Sequence, residues 1–283
     1  MSIIEKALEK TESTKPADIQ ESLKIDSISE SDGGMSKLES CDLEIDFRLL
    51  EEKGMLVPDS DNHQIREQYR VIKRPLILNA FGDGNESNEN SNLILVTSSL
   101  PGEGKTFTAV NLALSIATER DKTVLLVDAD VDRAGISTLL NIKAQTGLTD
   151  LLLDKNIELS DILLRTNIPN LSILPAGKTH KHSTELLASE SMNWLASEMS
   201  QRYSDRIIIF DSPPLLVASQ GSVLASHVGQ VVVVIESGVT PQHMVNEAVQ
   251  KLESCDIVGC VLNKSKNGFG FNDYAYYGSN EKR

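Results

Sequence analysis

Residues 93–106 read Leu93-Ile94-Leu95-Val96-Thr97-Ser98-Ser99-Leu100-Pro101-Gly102-Glu103-Gly104-Lys105-Thr106. An apolar, partly β-branched run breaks into a glycine-containing turn, closes on Gly-Lys-Thr and opens an apolar helix through Ala109, Leu112, Ala113, Ile116 and Ala117. Few folds accommodate that order. The backbone N–H groups of such a turn converge on an anion, and the following helix presents its positive end to the same point. Gly102 and Gly104 let the chain approach a phosphate without a Cβ in the way. A lysine at position 105 neutralises terminal phosphates, and a threonine hydroxyl at 106 reaches a Mg²⁺ ion carried by them. Ser99 replaces the first glycine of the usual pattern, so the match is incomplete by one position. The expected nucleotide-binding stretch is Pro101, Gly102, Glu103, Gly104, Lys105, Thr106 and Phe107; an ordinary strand–turn–helix connection is the alternative.

From that strand onward the pattern alternates. Strand-like runs fall at 93–97, 123–127, 171–174, 206–210, 230–235 and 257–262, with helical stretches at 105–119, 183–201 and 241–254. Several runs are continuously apolar, as strands of a parallel sheet covered on both faces are. Repeated βα units impose right-handed crossovers. The expected fold is therefore α/β, a doubly wound, mostly parallel sheet with ligands at the carboxyl ends of its strands. Acidic residues collect at those ends. Val124-Leu125-Leu126-Val127-Asp128-Ala129-Asp130 closes on two carboxylates that face one way if the strand runs through both. Ile207-Ile208-Ile209-Phe210-Asp211 closes on a third. A carboxylate at a buried strand end needs a counter-charge, and a nucleotide-borne Mg²⁺ supplies one. Thr106, Asp128 and Asp211 are thus candidate metal contacts, and Lys105, Asp128 and Asp130 candidate catalytic groups. Taken singly, each aspartate could equally cap a helix or sit on the surface.

Charge divides the chain. The excess of 41 acidic over 27 basic residues gives −14, which argues against nucleic acid as a partner. Residues 1–62 hold 16 of those acids and seven of the bases. Beyond a short apolar stripe of Ile3, Ile4, Ala7 and Leu8, this arm buries little and is expected to be mostly disordered. A helix is expected from Gln64 to Arg74, stopped by Pro75, then a polar break at 82–92. The body is expected to span 63–268 and a tail 269–283. Cys41, Cys255 and Cys260 lack metal or disulfide spacing and read as reduced thiols. No run is long enough to cross a membrane, and the first residues form no signal peptide. A cytoplasmic chain that reaches a membrane only through a partner is expected. The tail carries Tyr274, Tyr276 and Tyr277, three of the five tyrosines, in a polar, glycine-containing stretch. Such a tail can reach another subunit, and a phosphate on each tyrosine would add roughly −1.5 to −2 charges; an aromatic patch docked on the body is the alternative.

The phosphate loop at 98–106, the acidic motif at 124–130 and the strand at 207–211 resemble, in order and spacing, the bacterial tyrosine kinases of exopolysaccharide and capsule systems. The resemblance covers residues 65–283. Positioning ATPases of the Min/Par type share the P-loop fold but carry a signature lysine near the position of Leu100, absent here. Glu67, Arg70 and Lys73 resemble the family's oligomerisation helix, with lysine in place of the final arginine, which loses a planar fork of donors. Pro175-Ala176-Gly177 through Glu185-Leu186-Leu187 resembles a family loop without its prolines; His180 and His182 there read as solvated. After Asp130, only Arg133 keeps the family's basic character. Asn263 sits where related ATPases recognise adenine, and Ser2 through Leu8 resembles the start of the exosortase-associated subgroup.

The resemblance implies an ATP- and Mg²⁺-dependent protein-tyrosine autokinase that regulates exopolysaccharide synthesis or export. Its phosphoacceptors would be Tyr274, Tyr276 and Tyr277. It further implies a separate membrane-spanning chain-length or co-polymerase activator that recruits the kinase to the inner face of the membrane, a homo-oligomer, and a tyrosine phosphatase that reverses the reaction. A Min/Par-type positioning ATPase is the competing reading.

Overall fold

The computed structural model describes residues 42–58, 62–82, 90–202 and 205–265. The stripe at Ile3–Leu8, the Ser2–Leu8 resemblance, Cys41 and the three tail tyrosines lie outside the described residues.

Seven strands form one sheet: β1 (Leu93–Ser98), β2 (Thr123–Asp128), β3 (Leu164–Arg165), β4 (Leu171–Leu174), β5 (Arg206–Asp211), β6 (Gln230–Glu236) and β7 (Ile257–Asn263). Their order is β3-β4-β2-β5-β1-β6-β7, with every pairing parallel except β3 to β4. The doubly wound, mostly parallel α/β sheet expected from the sequence is present. β1 lies between β5 and β6, and all six of its residues are buried. The two-residue period of the strands divides the core. Leu93 and Leu95 join Leu125, Val127, Ile208 and Phe210 on one face, while Ile94 and Val96 join Val124, Leu126, Ile207 and Ile209 on the other.

Ten helices accompany the described strands: α1 (Phe47–Glu52), α2 (His63–Phe81), α3 (Lys105–Ala117), α4 (Gly135–Leu139), α5 (Leu148–Leu153), α6 (Leu159–Ile162), α7 (Ser183–Leu187), α8 (Glu190–Arg202), α9 (Gln220–Ala225) and α10 (Gln242–Gln250). The helical stretch expected at 183–201 is two helices. Ser189 separates them: its hydroxyl donates to the Leu186 carbonyl at 2.7 Å and accepts from the Met192 N–H at 3.3 Å, ending α7 and capping α8.

Two expectations at the amino-terminal side need correction. The packed body begins before residue 63, because Ile45, Leu50, Met55 and Leu56 are buried. The Asn167 side chain brackets Ile45, accepting from its N–H at 2.9 Å and donating to its carbonyl at 3.1 Å. The Leu56 N–H donates to Asn111 Oδ1 on α3 at 2.7 Å. Four apolar anchors and satisfied backbone groups offset the entropy that an acidic composition alone suggested could not be offset.

Nor does Pro75 stop α2, which runs on to Phe81. Pro75 lies on the solvent side, where water can reach the carbonyl left without a helical donor, while Leu76 on the next position is buried. Lys73 turns inward rather than onto a free charged face. Its Nζ donates to the Ser115 carbonyl at 2.6 Å and to Thr118 Oγ1 at 3.2 Å, and pairs with Glu119 at 2.7 Å. A cation there complements the negative end of α3. Glu67 and Arg70 remain at the surface and pair with each other at 2.6 Å.

Candidate functional site

β1 delivers the phosphate loop to the carboxyl edge of the sheet, between β5 and β6. Gly102 has φ +88° and Gly104 φ +97°, left-handed values that turn the loop into the start of α3. A loop that aims its N–H groups at an anion must turn carbonyls outward, and those carbonyls have donors. Ser98 Oγ donates to the Leu100 carbonyl at 2.8 Å, Lys264 Nζ to that of Gly102 at 2.7 Å, and Asn263 Nδ2 to that of Glu103 at 2.9 Å. The Thr108 N–H donates to the Gly104 carbonyl at 2.9 Å, the first turn of α3.

Among the residues expected to touch nucleotide, Pro101 and Gly102 are exposed on the loop. Glu103 is 2% exposed, and its carboxylate accepts from the Leu100 N–H at 2.6 Å and from the Thr240 hydroxyl. That side chain is committed to the loop itself, so its share in ligand contact falls to its backbone. Phe107 is half-buried and packs on the core. Asn263 spends its amide nitrogen on Glu103 and its oxygen on the Lys264 N–H at 2.9 Å.

The acidic residues meet at one point. Asp128 and Asp211 end neighbouring strands and are register partners. β2 ends at Asp128, so Asp130 is placed by the following turn rather than by strand alternation, its carbonyl accepting from the N–H groups of Arg133 and Ala134. Lys105 Nζ lies 2.8 Å from Asp130 Oδ2 and 3.8 Å from Asp211 Oδ1, and 3.4 Å from Thr106 Oγ1. Asp128 Oδ2 accepts from the Ser137 N–H at 3.1 Å and its hydroxyl at 3.3 Å. Asp128 Oδ1 and both Asp211 oxygens are buried without a hydrogen-bond partner.

Burial pushes Asp211 from the usual carboxylate range up to about 7, against the pull of Lys105 and of the Thr106 hydroxyl, which stands near without completing a hydrogen bond. Burial also raises Asp128 to about 6, with the Ser137 donors pulling the other way.

Gly135 roofs this point. A Cβ there would stand 2.9 Å from Thr106 Oγ1 and 3.3 Å from Asp211 Oδ2. Among the described residues no three His, Cys, Asp or Glu side chains are arranged to hold a metal by themselves. That fits Mg²⁺, which takes one or two carboxylates and completes its shell with phosphates and water. The orphaned Asp211 oxygens beside a hydroxyl suit that role. Sequence reasoning missed Ser137, Thr240 and Lys264. Thr240 and Lys264 act from turns more than 130 positions away, and Ser137 from α4, nine positions past Asp128, with no local pattern to announce any of them.

The family model described as AAA domain matches residues 91–255, which contain the loop and all three aspartates. The tyrosine-protein kinase YwqD of Bacillus subtilis is 32% identical over 217 residues, covering 76% of this chain and 87% of that protein. The chain belongs to the bacterial tyrosine-protein kinases. The solved kinase domain of VpsO is 32% identical with a TM-score of 0.60, covering 71% of this chain and 96% of that one. The tyrosine-protein kinase Ptk of Acinetobacter johnsonii is 31% identical over 66% of this chain, which spans only 24% of that longer protein. Among the described residues of this kinase, no helix is long and apolar enough to cross a membrane.

Proposed function

We propose that this tyrosine kinase uses ATP with Mg²⁺ to phosphorylate Tyr274, Tyr276 and Tyr277 on the tail of a neighbouring copy. The observation that carries this reading is the meeting of Lys105, Thr106, Asp128, Asp130 and Asp211 at the mouth of the phosphate loop, with three carboxylate oxygens lacking a hydrogen-bond partner. Loop amides and Lys105 would bind the triphosphate. Lys105 is paired with Asp130, so phosphate binding would exchange that partner for a more highly charged anion. Thr106 and Asp211 would hold Mg²⁺, which neutralises charge on the transferring phosphoryl group when bound. Asp128, with one free oxygen and a raised pKa, is suited to accept the tyrosine proton or to orient the metal's waters. Positioning and charge neutralisation are the main demands of phosphoryl transfer, and these residues address both.

The cellular role we infer is regulation of exopolysaccharide polymerisation or export at the inner face of the membrane. A separate membrane-spanning activator would recruit the kinase, and a tyrosine phosphatase would reset it. Phosphates on a tail of a chain already at −14 would repel neighbouring copies and favour dissociation of a homo-oligomer. The body from residue 42 to about 268 would be the kinase domain and 269–283 its substrate tail. Mass spectrometry of the purified protein after incubation with ATP and Mg²⁺ tests this, alongside the same mixture with a chelator. Phosphotyrosine at 274, 276 or 277 that needs both ligands is the expected result; modification confined to other residues, or indifferent to chelation, overturns it.

A further inference from the structure

The Glu103 carboxylate lies inside the phosphate loop, and both its oxygens are engaged by the protein itself. It is buried, and one oxygen accepts from the Leu100 N–H at 2.6 Å, bridging the loop across three residues. The other accepts from the hydroxyl of Thr240, which lies 137 positions along the chain in the turn between β6 and α10. Thr240 has no freedom to spare: the same hydroxyl oxygen accepts from the Glu236 N–H at 3.2 Å. Glu236 in turn pairs at 3.0 Å with Lys264, whose ammonium also holds the Gly102 carbonyl at 2.7 Å. A closed set of contacts therefore ties the loop to the ends of β6 and β7. Its effect is to hold the Gly102 carbonyl outward and the Glu103 carboxylate inward, an arrangement that suits a loop whose other N–H groups serve an anion.

A buried carboxylate with one of its two donors removed would lose part of its hydrogen-bond compensation. Freed from Thr240, it can turn to the loop N–H groups that a phosphate needs.

We propose that Thr240 is a positioning residue for nucleotide binding, acting through Glu103 to keep the phosphate loop in its anion-binding shape. The proposal rests on the nucleotide reading of residues 101–107. It assigns to Thr240 an effect on ground-state affinity rather than on the transfer step, since its hydroxyl is bonded to Glu103 and Glu236 and not to Asp128, Asp130, Asp211 or Lys105.

The test uses the full chain with Thr240→Val, nearly isosteric but without the hydroxyl, and Thr240→Ser, which keeps both hydrogen bonds. Each is titrated with a fluorescent ATP analogue and assayed for tyrosine phosphorylation across ATP concentrations. Loss of a hydrogen bond to a charged group predicts about a tenfold weaker affinity and a matching rise in KM for ATP in the valine variant, with kcat within about twofold. The serine variant is expected within about twofold of the parent in all three measurements. Unchanged affinity in the valine variant overturns the proposal. So does a serine variant as impaired as valine, or a kcat that falls as far as KM rises. If the parent protein itself fails to bind the analogue, the nucleotide reading has failed, and the proposal falls with it for that separate reason.

Discussion

Two loops meet at the same point of the sheet and are built on opposite terms. In the phosphate loop the outward carbonyls of Leu100, Gly102, Glu103 and Gly104 all have donors, and its one carboxylate has two. At the ends of β2 and β5 three buried carboxylate oxygens have none. The first is preorganised: its stability and its binding shape coincide, so the ligand finds the geometry already made. The second is frustrated, holding buried carboxylates that Lys105 and the Ser137 donors compensate only in part. A protein that only needed to be stable would not keep Asp211 fully buried beside Asp128. The contrast assigns one loop to shape and the other to charge, and variants should separate the two.

The sharpest break comes at Lys105, whose ammonium reaches from the phosphate loop to Asp130 and Asp211. Lys105→Met removes the cation that faces phosphate and strands Asp130, now buried without its partner at 2.8 Å. Phosphotyrosine formation should fall by ~10²-fold or more, read by mass spectrometry of the tail. If the variant keeps substantial phosphorylation, the two loops do not share a catalytic centre.

Asp211→Asn should move activity and stability in opposite directions. The carboxyl's pKa is raised from 3.8 to about 7, so the fold prefers it protonated. A carboxyl raised on folding contributes stability that is fully present below its unfolded pKa and is lost as pH rises through the folded one. The ligand-free parent should therefore lose melting temperature between about pH 4 and 7, with Asp128 adding to the loss up to about 6. The asparagine variant should show a shallower decline and melt several degrees higher at pH 8, at about 2–4 °C per kcal/mol for a chain of this size. Its Mg²⁺-dependent phosphorylation should fall by about a hundredfold. Calorimetry across pH, set beside the kinase assay, checks both. A variant less stable than the parent at pH 8 would mean that the acidic loop is compensated after all.

This contrast also explains what could be read from the chain alone. The strand–loop–helix at 93–117 and the acidic strand ends are local patterns, so their residue types and spacing were legible, and six of the seven strands with them. β3 has only two residues, too short to leave a period. The shape of the phosphate loop was not legible, because it depends on Thr240, Asn263 and Lys264, brought in from more than 130 positions away. Lys73 shows the same limit. Its neighbours in sequence suggest a charged surface motif, while its partners on α3 make it a buried cap. Residues 42–58 look too acidic to fold, yet four apolar side chains and the Asn111 and Asn167 amides hold them. Composition averages over a window; burial is decided residue by residue.

Two glycines give the smallest and cleanest comparison, one from each loop. At Gly135 the backbone carries no left-handed strain, but an added Cβ would crowd Thr106 Oγ1 at 2.9 Å and Asp211 Oδ2 at 3.3 Å. Gly135→Ala should therefore lower Mg²⁺-dependent phosphorylation by about tenfold, the equivalent of ~1.4 kcal/mol, while the melting temperature of the ligand-free protein stays close to that of the parent. At Gly102 the situation is reversed: nothing lies within 4 Å of the added methyl, but φ is +88°. Gly102→Ala should lose about 1–2 kcal/mol of stability to backbone strain, with phosphorylation at saturating ATP reduced less than in Gly135→Ala. Thermal melts and initial rates on the two variants, measured side by side, decide the matter. If Gly102→Ala proves the more damaging to the transfer rate and Gly135→Ala the more damaging to stability, then shape and charge are not divided between these loops in the way their hydrogen bonding indicates.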